Sequence, residues 1–316
     1  MTLLLLLSLA FADTCDAYGA PEELPAVQAS GLSESSGVAA SRVQPGVFYT
    51  HDDDGPPVLF AFDRSGTLLA TYEVPDADND DWEDIAAAPC PDKGDCLYIG
   101  DIGDNNDDRA QITIYVVREP ESGDSKVKLA ERYTAVYPKG PADAEALLVQ
   151  PCTGRIHIVT KGSDGLSTIY RMPFDPGRDV VTLEEVGKVE IEGPTAETRR
   201  VSGGDWDLDG DRLVLRTSSQ ILEWDTDPDA PNAHWSDPPR ILVGADERKG
   251  EGVAFDLEGG LVTTSEGSPM PVSVFPCDVT PSDGVCEFPQ TGRCGCAQGE
   301  ADASVGGWTG LLRRRR

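Results

Sequence analysis

Basic residues are scarce in this sequence. Its 316 residues include 26 Lys and Arg against 56 Asp and Glu, which gives a formal charge of −30. A field of this sign repels phosphate backbones and anionic lipids, so nucleic acid and anionic membrane surfaces are excluded as partners. Cations are the natural partners instead, although an acidic surface also arises simply for solubility or salt tolerance.

Familiar catalytic motifs are also missing. The sequence contains no G-x-S-x-G elbow, P-loop, dinucleotide-binding glycine fingerprint or H-E-x-x-H helix. It has only three histidines, and they are dispersed: His157 within a predicted strand, His234 in a Pro-rich loop, and His51 at a strand end. The easily recognised classes of enzyme are therefore excluded.

No hydrophobic run is long enough to span a bilayer. The Leu-rich start ends in Ala10-Phe11-Ala12, a small-x-small pattern, and predicts a secretory signal over residues 1–12. Residues 13–30 follow as a segment that could help to close the fold, and residues 291–316 form a Cys-, Gly- and Arg-rich tail. We expect a protein that is secreted, periplasmic or at the cell surface.

Eight cysteines fit an oxidising compartment. Two short loops predict disulfides, Cys90 with Cys96 and Cys277 with Cys286, because each pair brackets a turn. The absence of a nearby histidine argues against zinc at Cys90 and Cys96. The pairing of the other cysteines stays open: Cys15, Cys152, Cys294 and Cys296.

Residues 31–290 lack helical periodicity and consist of short apolar runs separated by Gly, Pro, Asp and Asn. Similar segments recur roughly every 50–60 residues, and each opens a set of successive strands. They are SGVAAS from Ser36, EDIAAA from Glu83, EALLVQ from Glu145, GDWDLD from Gly204 and EGVAFD from Glu251. This pattern predicts an all-β fold, a five-bladed β-propeller of four-stranded blades over residues 31–290. A sixth blade is possible if residues 16–30 and 270–290 combine. A β-sandwich would not repeat in this way.

Acidic residues recur at the start of the first strands. In a propeller this position and the end of the second strand lie on one face, so Glu83, Glu145 and Glu251 should ring the mouth of the central channel. The second strands end in residues that should surround this ring: His51, Asp101, Lys161, Thr217 and Glu266. Carboxylates gathered this closely repel one another unless a cation or a shared proton compensates.

The loops of the second repeat, DADNDDWED and DIGDNNDD, offer the hard oxygen ligands that calcium prefers and lack His and Cys, which disfavours zinc and copper. We predict a calcium site with these candidate ligands: Asp81, Glu83, Asp101, Asp104, Asn105, Glu145 and Glu251. The alternative is that the loop residues accept backbone hydrogen bonds as Asx-turns.

The stretch DWDLDGD, from Asp205 to Asp211, resembles the start of an EF-hand loop. Position twelve of that loop requires a bidentate Glu, but Arg216 occupies it. We therefore predict a hairpin turn at Asp209-Gly210 instead.

Two functional hypotheses follow from the acidic face. In the first, the protein is a secreted, monomeric calcium-binding propeller that binds a small molecule, glycan or protein there without catalysis. The second is a metal-dependent phosphoesterase or esterase-like hydrolase, in which His51 or Glu266 acts as base. The ligand-binding candidates are His51, Lys161, Arg200 and Glu266.

The motifs SGVAASR, DWEDIA, YIGDIGDN, EALLV, VTKG and EGVAF together resemble a group of secreted bacterial propeller proteins and, more distantly, the SdiA-regulated family. The resemblance covers about residues 31–275. It implies a five- or six-bladed propeller with a metal near the channel, and no particular reaction. A looser similarity to phytase-like and esterase-like propellers suggests calcium-assisted phosphoester hydrolysis.

The tail resembles the myxobacterial C-terminal sorting signal, which suggests surface anchoring, although Glu300 and Asp302 interrupt its apolar middle.

Overall fold

The computed structural model describes residues 15, 17–121, 123–173, 179–227, 233–243, 247 and 249–277. The signal peptide predicted for residues 1–12, Cys286 and the tail at 291–316 lie outside the described residues. Within the described part, no helix has the length and apolar character needed to cross a membrane.

The described chain folds into five antiparallel sheets, each built on four strands. Strand β1 (Glu22–Glu23) precedes blade one, which contains β2 (Ser35–Ala40), β3 (Val47–Asp52), β4 (Val58–Asp63) and β5 (Leu68–Glu73). Blade two contains β6 (Trp82–Pro89), β7 (Asp95–Asp101), β8 (Ile112–Arg118) and β9 (Lys128–Val136). Blade three contains β10 (Ala144–Gln150), β11 (Arg155–Thr160), β12 (Leu166–Arg171) and β14 (Glu184–Glu190). The short strand β13 (Val181–Thr182) lies between β12 and β14 in sequence but pairs in parallel with β9, so it adds a fifth strand to the sheet of blade two.

Blade four contains β15 (Gly203–Trp206), β16 (Arg212–Arg216), β17 (Gln220–Asp225) and β18 (Arg240–Val243). Blade five contains β19 (Gly250–Phe255), β20 (Leu261–Ser265) and β21 (Val272–Phe275). Short 3-10 helices lie at Glu197–Arg199 and Ala233–Ser236. The predicted five-bladed β-propeller is confirmed.

The N-terminal segment completes blade five instead of contributing to a sixth blade. Strand β1 pairs antiparallel with β21, with Glu22 opposite Val274. Backbone hydrogen bonds extend the pairing on both sides, from Gly19 N to Pro276 O at 2.8 Å and from Val27 N to Met270 O at 2.9 Å. The ring therefore closes by joining the two ends of the described chain within one sheet.

A disulfide between Cys15 and Cys277 reinforces this closure. The predicted bridge from Cys277 to Cys286 is therefore wrong, because local loop spacing gave no information about the approach of the N-terminal segment. The predicted Cys90–Cys96 disulfide is confirmed and closes the hairpin between β6 and β7. Cys152 is buried, and its thiol donates to the carbonyl of Asp209 at 3.2 Å.

The first strands of the blades, β2, β6, β10, β15 and β19, pack side by side around the central axis. Every residue of β2 and of β10 is buried, because these strands have neighbouring blades on both faces. Buried side chains of adjacent blades form the core between them, as Tyr49 and Leu59 of blade one do with Ile85 and Leu97 of blade two. Because both faces of these strands are buried, their sequences are continuous runs of small and apolar residues, such as AEALLVQ.

One acid of the DWED stretch links inner strands across the axis. Asp84 is fully buried. Its Oδ2 accepts hydrogen bonds from Leu147 N at 2.9 Å and from Gly204 N at 3.3 Å, which joins β6 to β10 and β15. Asp205 makes a similar link, because its Oδ2 accepts a hydrogen bond from Phe255 N in β19 at 2.9 Å. Burial raises the pKa of Asp84 well above its usual range, despite these donors.

Candidate metal centre

β-Bulges place the recurring acids at one end of the channel. The strand register shifts between Trp82 and Asp84, which leaves Glu83 as the extra residue. Comparable shifts occur at Glu145 in blade three and across two residues in blades one and five, Ser36–Gly37 and Glu251–Gly252. The first hairpin of blade four has a regular register and no Glu at this position. The repeat seen in the sequence therefore corresponds to a bulge that recurs in four of the five blades.

Three carboxylates form the centre of the channel mouth. Glu83, Asp143 and Glu145 each offer an oxygen, and these oxygens lie within 4.8 Å of one another. Glu83 comes from blade two, while Asp143 and Glu145 come from the start of blade three. We refer to these three residues as the acidic triad.

Lys161 contacts the acidic triad. The Lys161 ammonium forms an ion pair with Glu145 and lies 3.3 Å from Asp143 Oδ2. Ser36 of blade one donates to Glu83 Oε2 at 2.9 Å. The mouth therefore receives side chains from three successive blades, and it holds more negative than positive charge.

The electrostatic cost of this arrangement appears in the pKa values. Burial, followed by the charges of Glu145 and Asp81, raises the pKa of Glu83 well above its usual range. Burial raises the pKa of Glu145 to about 7 even though Lys161 opposes the shift. Burial, with repulsion from Glu145, raises the pKa of Glu251 to about 8. The pKa of Asp81 is raised by burial and by the nearby Asp143. A proton or a cation is needed to offset these charges.

The loop acids of blade two serve a different purpose from the acidic triad. Asp101 accepts from Arg109 at 2.7 Å, and Asp104 accepts from the backbone N–H groups of Asp108 and Arg109 at 2.9 and 3.0 Å. Asn105 accepts from Lys161 at 3.3 Å. Asp101 and Asp104 therefore stabilise their own loop, in line with the Asx-turn alternative. Metal ligation by these three residues stays a prediction.

Within the described part of the chain, the other predicted ligand-binding residues form no hydrogen bond or ion pair with the acidic triad, although Glu266 lies near enough to Glu251 to raise its pKa. His51 is fully buried instead of projecting onto the acidic face: its ring packs edge-on against Trp82, and Nδ1 lies 3.2 Å from the Asp52 carbonyl oxygen. Burial lowers the pKa of His51 to about 4. Glu266 forms an ion pair with Lys249, and Arg200 follows the 3-10 helix Glu197–Arg199. A role for His51 as a base would require its imidazole to become accessible.

The hairpin predicted at DWDLDGD is present between β15 and β16. Asp207 Oδ1 accepts from the backbone N–H groups of Asp211 and Arg212 at 3.0 and 3.1 Å, and Gly210 takes a positive φ of 74°. Arg212 also forms an ion pair with Asp207 at 3.0 Å. These acids therefore stabilise a turn.

Sequence reasoning missed Asp143. It lies two residues before Glu145, as Asp81 lies two residues before Glu83. The Asp-x-Glu spacing is thus shared by blades two and three, and aligning DWEDIA with DAEALL would have identified Asp143 as a further candidate. The segment alignment began at the Glu and left out the preceding positions.

Replacing Gly103 with alanine should disturb the mouth directly. A Cβ at this position would lie 2.5 Å from the carboxylate carbon of Asp81 and 2.5 Å from Glu83 Oε1. We expect Gly103→Ala to lower the free energy of unfolding by about 1–3 kcal/mol, because the buried carboxylates must move. Chemical denaturation of the two proteins measures this difference. Gly100→Ala is the comparison, because the atoms nearest to a Cβ there are side-chain atoms of Ile102 and Leu147 at 3.1 Å or more; equal losses in both variants would contradict the close approach at Gly103.

The chain was compared with known proteins. No family model and no curated protein matches it, so the resemblance to the SdiA-regulated family stays a prediction. A PQQ-bound aldose sugar dehydrogenase from Streptomyces coelicolor is 11% identical, with a TM-score of 0.46 over 82% of this chain and 99% of that chain. A gluconolactonase from Xanthomonas campestris is 11% identical, with a TM-score of 0.44 over 84% of this chain and 98% of that chain. A nidogen/laminin complex gives 15% identity and a TM-score of 0.41 over 74% of this chain and 72% of that chain. These likenesses concern the fold alone.

Proposed function

We propose that this protein binds a divalent cation, calcium first, at the channel mouth, and that the loaded mouth binds a ligand or partner without catalysing a reaction. The observation that carries the proposal is the convergence of carboxylate oxygens from Glu83, Asp143 and Glu145 within 4.8 Å. Residues from two blades make this contact, so it depends on the assembled propeller.

The chemistry of the donors favours a hard cation. The acidic triad provides carboxylate oxygens alone, which suit calcium, and Asp81 and Glu251 add further oxygens nearby. Zinc and copper prefer imidazole or thiolate ligands, and neither His51 nor the Cys90–Cys96 disulfide offers one to the triad. When bound, the cation would supply positive charge that offsets the repulsion among the carboxylates.

The candidate bases give less support to the hydrolase hypothesis. A general base must lie within hydrogen-bonding reach of the water or substrate proton that it removes. His51 is buried against Trp82, and the Glu266 carboxylate forms an ion pair with Lys249. We therefore favour binding over turnover, with a small molecule, glycan or protein as the ligand at the acidic face.

Calcium should raise the melting temperature of the full-length, disulfide-intact protein. A cation that binds only the folded state at about 100 times its dissociation constant adds about 2.7 kcal/mol, which corresponds to a rise of roughly 4–5 °C for a chain of this size. The measurement is a thermal melt with calcium and with excess chelator. Glu83→Gln should remove most of the rise, because it replaces a triad carboxylate.

The control is Asp54→Asn, which removes the same charge from the other described group of acids whose oxygens lie within 4.8 Å of one another, Glu34, Asp53 and Asp54. This variant should keep the calcium response. An absent response in the natural sequence, or an equal loss in both variants, would contradict a specific site at the triad. Hydrolysis of p-nitrophenyl acetate or phosphate that Glu83→Gln abolishes would overturn the non-catalytic part of the proposal.

A further inference from the structure

Lys161 already places a positive charge on the acidic triad. It follows β11, and its ammonium contacts Glu145 and lies 3.3 Å from Asp143 Oδ2. Its Nζ also donates to Asn105 Oδ1 at 3.3 Å. Among the residues that the structure describes, no other Lys or Arg forms an ion pair with Glu83, Asp143 or Glu145. One ammonium therefore serves two of the three carboxylates that would hold a cation.

We propose that the Lys161 ammonium fills the cation position when no cation is bound, and that a cation binds only by displacing this ammonium from Glu145 and Asp143. This inference rests on the proposed cation site and adds its regulation. In the absence of a cation, Lys161 offsets part of the repulsion among the triad carboxylates. When a cation binds, the same carboxylate oxygens become its ligands, and the ammonium must leave.

The backbone of Lys161 is fixed, but its side chain is able to move. Lys161 N donates to Asp143 O at 3.0 Å, and Lys161 O accepts from Val201 N at 3.0 Å. The ammonium is attached through four flexible methylene groups, and the Lys161 side chain is 21% exposed. Asn105, on the exposed loop after β7, already accepts a hydrogen bond from the ammonium. Displacement therefore requires rotation of one side chain and no change in the blades.

This arrangement would determine which cations bind. A monovalent ion carries the same charge as the ammonium and gains nothing in Coulomb energy by replacing it. A divalent ion gains about twice the attraction at the same distance. Lys161 therefore weakens binding of all cations and penalises monovalent ions most, so it acts as a specificity-determining residue.

Calcium titration by isothermal calorimetry tests the displacement. Lys161→Met removes the competing ammonium, and we expect its dissociation constant to be at least tenfold lower than that of the natural sequence. Lys139→Met is the matched control, since Lys139 is an exposed lysine that pairs with Glu185 and its replacement removes the same formal charge. The control should stay within about twofold of the natural sequence.

The outcomes separate the two proposals. If the natural protein binds calcium and Lys161→Met binds no more tightly, the displacement is overturned and the cation site stands. Equal tightening in both variants would attribute the effect to the overall field and also overturn the displacement. If none of the three proteins binds calcium, the cation site itself is overturned, and the displacement with it.

A second measurement uses the natural sequence and does not depend on the folding of a variant. Acetylation of lysines by an N-hydroxysuccinimide ester, followed by mass spectrometry, reports how accessible each ammonium is. Calcium should raise the acetylation rate of Lys161 severalfold, while the rate at Lys139, which pairs with Glu185, stays constant in the same sample. An unchanged or lower rate at Lys161, in protein that binds calcium, would overturn the displacement.

Discussion

Replacing Arg216 with methionine should lower the free energy of unfolding by about 3–5 kcal/mol. Arg216 is fully buried between blades four and five, where it forms an ion pair with Glu247. Its NH1 donates to Gly252 O at 2.6 Å and to Thr264 O at 2.7 Å. Methionine retains the apolar stem but leaves the Glu247 carboxylate without its positively charged partner and two carbonyl groups without the guanidinium donor. Urea denaturation measures the loss.

Two comparisons identify the origin of this effect. Arg118→Met breaks an exposed ion pair with Asp92 and should cost less than about 1 kcal/mol. Combining Arg216→Met with Glu247→Gln should recover part of the loss, because the amide can still accept from Ser265 and Ser273 but carries no buried charge. A loss of under about 1 kcal/mol for Arg216→Met, or no recovery in the double variant, would contradict the buried ion pair as its cause.

Arg216 also positions a residue of the channel mouth. Its guanidinium binds the carbonyl of Gly252, which directly follows the bulge residue Glu251. The guanidinium packs so closely on Gly250 that a Cβ there would overlap it. Arg216 therefore fixes the strand start on both sides of Glu251, and its removal should perturb the mouth as well as the interface between blades.

The fold was predictable because it repeats. Ser36, Glu83, Glu145 and Glu251 occupy comparable bulges, so a sequence alignment of the segments was enough to reveal the blades and the acids at their entrance. The closure of blade five was harder to predict from the sequence, because Glu22–Glu23 is too short to be recognised as a strand and Cys15 is distant in sequence from Cys277.

Side-chain contacts between blades could not be read from single segments. Arg216 was visible only as a mismatch to an EF-hand loop, although it is the central donor between blades four and five. Asp84 was indistinguishable from its neighbour Glu83, yet it binds backbone groups of β10 and β15 while Glu83 faces the mouth. His51 ends its strand like Asp101, but packing against Trp82 buries it. Such roles depend on which strands meet across the axis.

Glu251→Gln should stabilise the protein at pH 8 in the presence of chelator, by about 3–5 kcal/mol. Burial raises the pKa of Glu251 from its ordinary value of 4.5 to about 8. A carboxyl whose folded pKa is raised favours folding while it is protonated. That contribution is complete below its unfolded pKa and is lost as the pH rises through the folded pKa. Glutamine resembles the protonated acid at every pH, so the two proteins should be equally stable near pH 4.5 and diverge as the pH rises towards 8.

Comparing the two proteins at each pH cancels the titrating groups that do not interact with Glu251, including His51, whose buried ring makes its own contribution in the acidic range. The measurement is denaturant unfolding from pH 4.5 to 8.5, with Glu190→Gln as an exposed control that should follow the natural sequence throughout. Parallel curves for the natural protein and Glu251→Gln would contradict the raised pKa.

Saturating calcium should reverse this difference at pH 8, because the ionised Glu251 then interacts favourably with the bound cation while glutamine has no charge to contribute. A stabilisation by Glu251→Gln that persists unchanged in calcium would show that Glu251 is strained by its neighbours but does not contribute to cation binding. The same residue would thus cost stability in the empty protein and add affinity in the loaded one. This is the behaviour expected of carboxylates that are retained in a desolvated position for binding.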